Sequence, residues 1–222
     1  MAAQPCDMFL HERQAYASCS SGSVAGIDEA GRGPLAGPLV VAAVILPPEK
    51  EFDLAVADSK TLSARRRQEL AEALLQSPGL CYVIVECSAR RIDQLNILAA
   101  THLAMRQCAR LLLPRLELAL VDGLPVPHFP LPARFLVKGD RRSASIAAAS
   151  ILAKTHRDRL MLRLHRFYPQ YGFDCHKGYA SAAHLKALEQ HGPCPAHRVS
   201  FAPVARIISP PPEQLSFDFS QV

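Results

Sequence analysis

The stretch that decides the fold is VAGIDEAGRGPLAGPLVVAAVIL, residues 24–46. Its second part, residues 39–46, is an uninterrupted apolar run rich in β-branched residues, which is typical of a central strand buried on both faces. Its first part is a shorter apolar segment that continues into Asp28 and Glu29. Glycines and prolines between the two parts predict an elaborate turn, so the whole stretch is expected to form a β-hairpin.

Beyond the hairpin, strand and helix patterns alternate along the chain. Short apolar runs predict strands over residues 81–85, 116–121 and 134–137. Helical periodicity and capping residues predict three helices: one beginning at Thr61 or Ser63, one over residues 92–113, and one from Ser143 or Ser145 to about Arg166. This alternation predicts an α/β protein with a mixed sheet flanked by helices.

The composition is that of a globular protein. Of the 222 residues, 49% are apolar and 20% are charged, and no apolar run is long enough to span a bilayer. Seven cysteines without tight spacing do not indicate a disulfide framework, so a cytoplasmic protein without membrane contact is expected. We expect one domain over residues 23–206, an N-terminal arm (1–22), an extended tail (207–222), and a monomer, since no seam for a partner subunit is evident.

Positive charge is concentrated in one third of the chain. The net charge of the whole chain is +5, but residues 141–206 hold 11 basic and 3 acidic residues. Such a segment favours an anionic partner, most commonly nucleic acid. The stretch from residue 141 to residue 166 carries seven basic side chains, and its outer face is expected to run along phosphates: Arg141, Arg142, Lys154, Arg157, Arg159, Arg163 and Arg166. A solvated helix face is the alternative reading.

Acidic residues stand where three predicted strands end. They are Asp28 with Glu29, then Asp122, then Asp140, each beside a glycine or an alanine. Ligand sites in such sheets lie outside the carboxyl ends of the strands, and carboxylates crowded there repel unless cations hold them. Oxygen ligands favour Mg²⁺ or Mn²⁺ over zinc, and two such ions suit phosphodiester hydrolysis. For any single one of these acids, a turn or cap role stays open.

The adjacency of Asp28 and Glu29 imposes a geometric condition. Neighbouring residues of a regular strand point to opposite faces of the sheet. Both carboxylates are therefore expected to reach one site only if the strand ends or bulges between them, which the following Ala30 and Gly31 favour.

These motifs resemble the ribonuclease HII family, in family order from about residue 24 to residue 206. The opening motif is GIDEAGRGP, residues 26–34. The further blocks are DSK (58–60), NIL (96–98), VDG (121–123), KGD (138–140), SIAAASILAK (145–154), RD (157–158), GY (178–179), GP (192–193) and RVSF (198–201).

The resemblance implies a ribonuclease H-like mixed sheet with an appended helical C-terminal segment. It implies a metal-dependent endonuclease that uses Mg²⁺ or Mn²⁺ on RNA–DNA hybrids and on single ribonucleotides embedded in duplex DNA, leaving 5′-phosphate and 3′-hydroxyl ends. The family's catalytic, metal-binding quartet falls on Asp28, Glu29, Asp122 and Asp140. Its substrate-sensing loop falls on Gly31, Arg32 and Gly33, and its junction-reading tyrosine falls on Tyr179.

The substrate residues suit this chemistry. Backbone groups at Gly31 and Gly33 can approach a sugar edge, and only the 2′-hydroxyl distinguishes RNA from DNA there. Tyr179 can stack on the next deoxyribose, and a core tyrosine is the alternative. Lys60 can hold a phosphate near the metals, and an exposed lysine at a helix start is the alternative. A non-catalytic nucleic-acid-binding module would explain the basic third, but not four acids at strand ends.

The tail carries its own signal after three consecutive prolines. The segment from Gln214 to Phe219 reads QLSFDF and resembles the short peptide with which bacterial replication proteins dock on the sliding clamp. Phe217 departs from the more usual leucine of that peptide. Folding of these apolar side chains back onto the protein's own surface is the alternative to a clamp as partner.

Overall fold

The computed structural model describes residues 7–19, 23–47 and 63–209. Its centre is a sheet of five strands: β1 (Val24–Ala30), β2 (Leu39–Ile45), β3 (Cys81–Cys87), β4 (Leu118–Asp122) and β5 (Ala133–Leu136). The spatial order is β3-β2-β1-β4-β5. β2 is antiparallel to both β1 and β3, whereas β1, β4 and β5 run parallel. The predicted hairpin and mixed sheet are confirmed.

Eight α-helices are described around this sheet. They are α1 (Leu10–Tyr16), α2 (Ala64–Gln76), α3 (Ala89–Leu95), α4 (Ile97–Leu112), α5 (Ala144–Phe167), α6 (Phe173–His176), α7 (Ala182–His191) and α8 (Ala202–Ile208). Ser63 caps α2 and Ser143 caps α5, each by accepting a backbone N–H bond three residues on. Within the described ranges, no helix combines the length and the hydropathy needed to cross a membrane.

The sheet is covered on both faces, which explains the uninterrupted apolar run of β2. On one face Val41 packs in a cluster with Met105 and Cys108 of α4. On the other face Val40 packs in a cluster with Ala148 and other small residues of α5. A strand between two helical layers buries both sets of its alternating side chains, so it contains no polar residue.

Gly26 determines how closely α5 lies on the sheet. A Cβ atom at this position would lie 2.0 Å from the backbone carbon of Ser145, at the start of α5. Any side chain here would therefore push α5 off β1. The close approach brings the first turns of α5 next to the strand that carries Asp28 and Glu29.

The prediction of a single helix over residues 92–113 is wrong. The segment is divided into α3 and α4 at Asn96, which has a positive φ of 67°. The Asn96 side chain accepts a hydrogen bond from Ala99 N at 3.0 Å and so begins α4. Hydrophobic periodicity does not reveal this break because apolar residues continue on both sides of it.

The described part of the N-terminal arm contains a helix that is held by one buried acid. Glu12 of α1 is fully buried, and its Oε1 accepts hydrogen bonds from Ser143 Oγ (2.5 Å), Ser145 N (2.9 Å) and Ser145 Oγ (2.7 Å). Its negative charge lies at the N-terminus of α5, where the helix dipole stabilises it. This part of the arm therefore packs against the domain as a short helix.

Candidate active site

Three of the four predicted acids converge at the end of β1. The parallel ladder between β1 and β4 ends at the pair Ile27–Val121, so the next residues, Asp28 and Asp122, stand beside each other. Asp28, Glu29 and Asp122 each offer a carboxylate oxygen, and these oxygens all lie within 4.8 Å of one another. Within the described residues, no other group of three acids, histidines or cysteines meets this condition.

Asp28 and Glu29 converge without a break in β1. The prediction that the strand ends or bulges between them is wrong. Both residues stay in register with β2, opposite Ala42 and Val41. On the other side, β4 ends at Asp122, and Gly123 turns the chain with a φ of 94°. On its β4 side, β1 therefore has no paired strand beside Glu29, and carboxylates from its two faces can meet at this open edge.

Burial and the repulsion between neighbouring acids make Asp28 and Glu29 costly to ionise. Burial raises the pKa of Asp28 well above its usual range, and the nearby charges of Glu29 and Asp122 raise it further. A hydrogen bond with the Ser150 side chain opposes that rise. Burial also raises the pKa of Glu29, against the opposing charge of Arg32, whose Nη1 lies 3.3 Å from Oε1. A divalent cation would relieve this repulsion, so the cluster fits such an ion.

Asp140 lies beside this cluster rather than within it. It is buried on a single 3₁₀ turn, Gly139–Arg141, that follows β5. The preceding residue connects the two, because Gly139 N donates a hydrogen bond to Asp122 Oδ1 at 2.6 Å. The structure therefore brings together Asp28, Glu29 and Asp122, and it places Asp140 next to the residue that orients Asp122.

The acids share one cavity of about 390 Å³ with most of the predicted substrate residues. Gly31, Arg32, Gly33 and Tyr179 line it together with the three carboxylates. Lys60 lies outside the described residues. A larger cavity of about 780 Å³ is lined by β3, α4 and α5 and contains none of these residues.

Arg67, Ser150 and Lys154 also line the acidic cavity, although sequence reasoning did not assign them to it. Asp158 connects the two cations, with Oδ1 2.7 Å from Lys154 Nζ and Oδ2 3.4 Å from Arg67 Nη1. The i, i+4 spacing of Lys154 and Asp158 was a signal for their pairing. Nothing in the sequence pointed to Arg67, because its partner lies 91 residues away.

A buried guanidinium, Arg198, holds the glycine-rich loop. Its N–H groups donate to the carbonyl oxygens of Gly31 (2.6 Å), Arg32 (2.9 Å) and Gly37 (2.9 and 3.1 Å). The five N–H donors of an arginine suit this convergence of acceptors. Arg198 therefore closes the turn between β1 and β2 from inside.

A second buried guanidinium, Arg157, connects this loop to the segment that precedes Tyr179. It donates to the carbonyl oxygens of Pro38, Ala36 and Lys177, each at 3.0 Å. Its predicted position on a phosphate-contacting face of α5 is wrong, because its side chain is fully buried. A count of basic residues does not show which of them point toward the protein.

Tyr179 presents its ring to the cavity. The side chain is 46% exposed, and the guanidinium carbon of Arg157 lies 5.9 Å from its ring centroid. Gly33 lies alongside, since a Cβ there would be 3.8 Å from Tyr179 Cε1. Tyr179 is therefore a partly exposed aromatic surface next to the glycine-rich loop, and not a core residue.

A mixed five-stranded sheet between helices, with carboxylates gathered at the ends of adjacent strands, defines the ribonuclease H-like class of α/β proteins. The family model for ribonuclease HII matches residues 25–204. A ribonuclease HII of Dechloromonas aromatica is 55% identical over 188 residues, covering 85% of this chain and 95% of that protein. One from Chlamydia pneumoniae is 54% identical over 184 residues, covering 83% and 85%.

Solved structures agree with this assignment. The ribonuclease HII of Archaeoglobus fulgidus, solved in complex with PCNA, superposes with a TM-score of 0.70 at 29% identity, covering 81% of this chain and 95% of that one. The chain belongs to the ribonuclease HII family, and it is a type 2 ribonuclease H.

Proposed function

We propose that this protein is a metal-dependent endonuclease that cuts the RNA strand of RNA–DNA hybrids and single ribonucleotides embedded in duplex DNA. The products are 5′-phosphate and 3′-hydroxyl ends. The observation that carries the proposal is one cavity that combines three converging carboxylates, a two-glycine loop and a partly exposed tyrosine. The first feature suits phosphodiester hydrolysis, and the other two suit a reader of the sugar.

Asp28, Glu29 and Asp122 are the proposed ligands of Mg²⁺ or Mn²⁺, with Asp140 as the fourth acid. Their donor atoms are all oxygens, which these cations prefer. When bound, such ions stabilise the attacking and leaving oxygens of a phosphodiester. The chain's own contribution is orientation: Gly139 N holds Asp122 Oδ1, and Ser150 bonds to Asp28.

Gly31, Arg32 and Gly33 are the proposed readers of the ribose. Gly31 has a φ of 93°, a backbone conformation that favours glycine, and Arg198 holds its carbonyl group. A backbone held in this way can offer groups to a 2′-hydroxyl, which both donates and accepts hydrogen bonds. Because the loop reads the sugar and not the base, recognition is expected to be independent of base sequence.

Tyr179 is the proposed reader of the following deoxyribose. Its exposed ring lies beside Gly33 of the glycine-rich loop and lines the cavity. A deoxyribose can pack on this ring, whereas a ribose brings an additional hydroxyl group to the contact. The basic side chains at the cavity, Arg67 and Lys154 with Lys60 from the sequence, would position the phosphates without reading bases.

The test uses three duplexes of the same base sequence: DNA with one ribonucleotide, an RNA–DNA hybrid, and DNA alone. With Mg²⁺ or Mn²⁺ we expect cleavage of the first two, no cleavage of the third, and no cleavage of any duplex in EDTA. Mass spectrometry of the fragments should give 5′-phosphate and 3′-hydroxyl ends. Binding to all three duplexes without cleavage in either metal would instead establish the non-catalytic nucleic-acid-binding module.

A second proposal concerns docking on a sliding clamp through the segment from Gln214 to Phe219, which lies outside the described residues. Its support is the resemblance of QLSFDF to clamp-binding peptides, together with a family member solved in complex with PCNA. Binding of the bacterial clamp should be lost on truncation after Ile208, while cleavage of a free oligonucleotide stays unchanged. Equal clamp binding by both forms, or none by either, would contradict the proposal.

A further inference from the structure

A group of histidines lies next to the backbone of Tyr179, and none of them lines the acidic cavity. His184 of α7 and His197 of the loop before α8 are both buried, and their Nε2 atoms are 3.0 Å apart. The ring of His176 stacks on that of His184, with centroids 4.5 Å apart. Neither the acid cluster nor the arginine contacts require these residues.

The backbone N–H of Cys194 determines which nitrogen of His197 carries the proton. It lies 3.0 Å from His197 Nδ1 and can only donate, so Nδ1 is the acceptor. The neutral ring then carries its proton on Nε2. That proton points to His184 Nε2, which must accept it.

The same logic continues to Tyr179. With Nε2 accepting, neutral His184 carries its proton on Nδ1, which donates to the carbonyl oxygen of Tyr179 at 2.8 Å. The hydrogen bonds therefore run in one direction, from Cys194 N–H through His197 and His184 to Tyr179. His197 Nδ1 also lies 3.3 Å from the Cys194 carbonyl oxygen, which is longer than its 3.0 Å contact with Cys194 N.

The relay stays uncharged near neutral pH. Burial, assisted by the neighbouring His184 and His176, lowers the pKa of His197 to about 4. Burial likewise lowers the pKa of His184, and His176 adds to this effect. Other groups that face the pair are the Cys194 thiol, the edge of Tyr171 and the ring of Phe173.

The ring of Tyr179 is half exposed, so packing alone does not fix its position. Hydrogen bonds of the Tyr179 backbone hold the residue in place. His184 Nδ1 and Ser181 N both donate to its carbonyl oxygen, at 2.8 Å each, and its N–H donates to His176 O at 3.0 Å. We propose that His184 is a positioning residue for Tyr179, and that His197 holds His184 in the tautomer this requires. The inference rests on the proposed reading of the deoxyribose by Tyr179.

Two variants of His184 separate this role from ordinary packing. An asparagine amide can donate from near the Nδ1 position, so His184→Asn should keep the bond to Tyr179. A glutamine amide extends to the Nε2 position instead, so His184→Gln should lose that bond and keep the contact with His197. The readout is the ratio of kcat/KM for a single embedded ribonucleotide to kcat/KM for a long RNA strand in a hybrid.

We expect His184→Gln to lower this ratio about fivefold, the effect of losing one neutral hydrogen bond, and His184→Asn to leave it near the wild-type value. Equal ratios for the two variants would overturn the proposal, because then the direction of donation does not matter. Tyr179→Ala is measured alongside. If it lowers the ratio and His184→Gln does not, only the relay fails; if Tyr179→Ala leaves the ratio unchanged, the proposed reading by Tyr179 fails and the relay with it.

A spectroscopic measurement tests the tautomers without any substrate. In the ¹⁵N-labelled protein at pH 7.5, the imidazole spectrum should show His184 protonated on Nδ1 and His197 protonated on Nε2, both neutral. The imidazole signals that are missing from the spectrum of the His184→Asn variant are those of His184. Protonation of His184 on Nε2, or a charged ring at either position, would overturn the relay.

Discussion

Two groups of like charges, each buried or partly buried, lie close together in this protein, and their charges are compensated in different ways. Asp28, Glu29 and Asp122 converge within 4.8 Å, and burial and repulsion raise the pKa of Asp28 well above its usual range. Arg157 and Arg198 are fully buried as well. Burial, and next the charge of Arg157, lower the pKa of Arg198 to about 9.

The difference lies in what the chain supplies to each group. The guanidinium groups donate to backbone carbonyl oxygens of the glycine-rich loop and its surroundings, so their hydrogen-bonding requirements are met from within. The carboxylates receive a few hydrogen bonds and the ion pair of Arg32 with Glu29, yet the pKa values of Asp28 and Glu29 stay raised. A buried charge with incomplete compensation is costly, so the acid cluster fits an external cation, whereas the arginines serve the fold.

The largest expected effect is on catalysis, through Asp122→Asn. The amide oxygen can still accept from Gly139 N, so the geometry is retained while a charge needed for metal binding is lost. We expect cleavage to fall by at least about a thousandfold, with duplex binding largely kept. Without metal, the thermal midpoint should rise, since one repelling charge is gone. Glu69→Gln, at an exposed carboxylate of α2, should change neither the cleavage rate nor the thermal midpoint. Near-normal turnover by Asp122→Asn would contradict the metal-ligand role.

Arg198→Lys should have the opposite effect on stability. A lysine keeps the charge but cannot meet three carbonyl oxygens in a fixed plane. We expect the free energy of unfolding to fall by about 3 kcal/mol, because buried acceptors lose their donors. Urea denaturation measures this, with exposed Arg166→Lys as the matched control. Equal stabilities of the two variants would mean that the carbonyl contacts of Arg198 contribute little.

Glu12 sharpens the comparison because it is a buried acid whose Oε1 accepts three hydrogen bonds from the chain. Neutralisation by Glu12→Gln weakens its bonds to Ser143 and Ser145 and removes a negative charge from the N-terminus of α5. We expect a loss of about 2 kcal/mol in unfolding free energy, with turnover unchanged well below the transition. A gain in stability, as expected for Asp122→Asn, would show that the surroundings do not distinguish the two acids. Exposed Glu72→Gln is the control.

The smallest effect is expected at a cation that borders the acids. Lys154→Gln should weaken duplex binding by about 1 kcal/mol and reduce the salt slope by about one, as for the loss of one phosphate contact. Binding is measured over a range of salt concentrations without divalent metal. Lys186→Gln, at an exposed position of α7, should leave the salt slope unchanged. An unchanged slope for Lys154→Gln would exclude its phosphate contact.

Much of the site was predictable because it depends on local patterns. Apolar runs that end in acids identified β1 and β4, and parallel neighbours bring such ends together. The break at Asn96 was missed because hydrophobic periodicity continues across it. The prediction that Asp28 and Glu29 reach one site only if β1 ends or bulges between them was too strict. It considered β1 alone and ignored that β4 ends beside it.

The sequence by itself determined the succession of strand segments along the chain, the glycine-rich turn and the family, since these depend on residue types at short spacing. Only the tertiary structure decided which charged residues are buried and what they bind. Arg198 bonds to carbonyl groups 161 to 167 residues away, and Glu12 to serines 131 and 133 residues away. Such partners are backbone atoms or small side chains that no pattern marks, and they become neighbours only when the packed sheet and helices bring distant segments together.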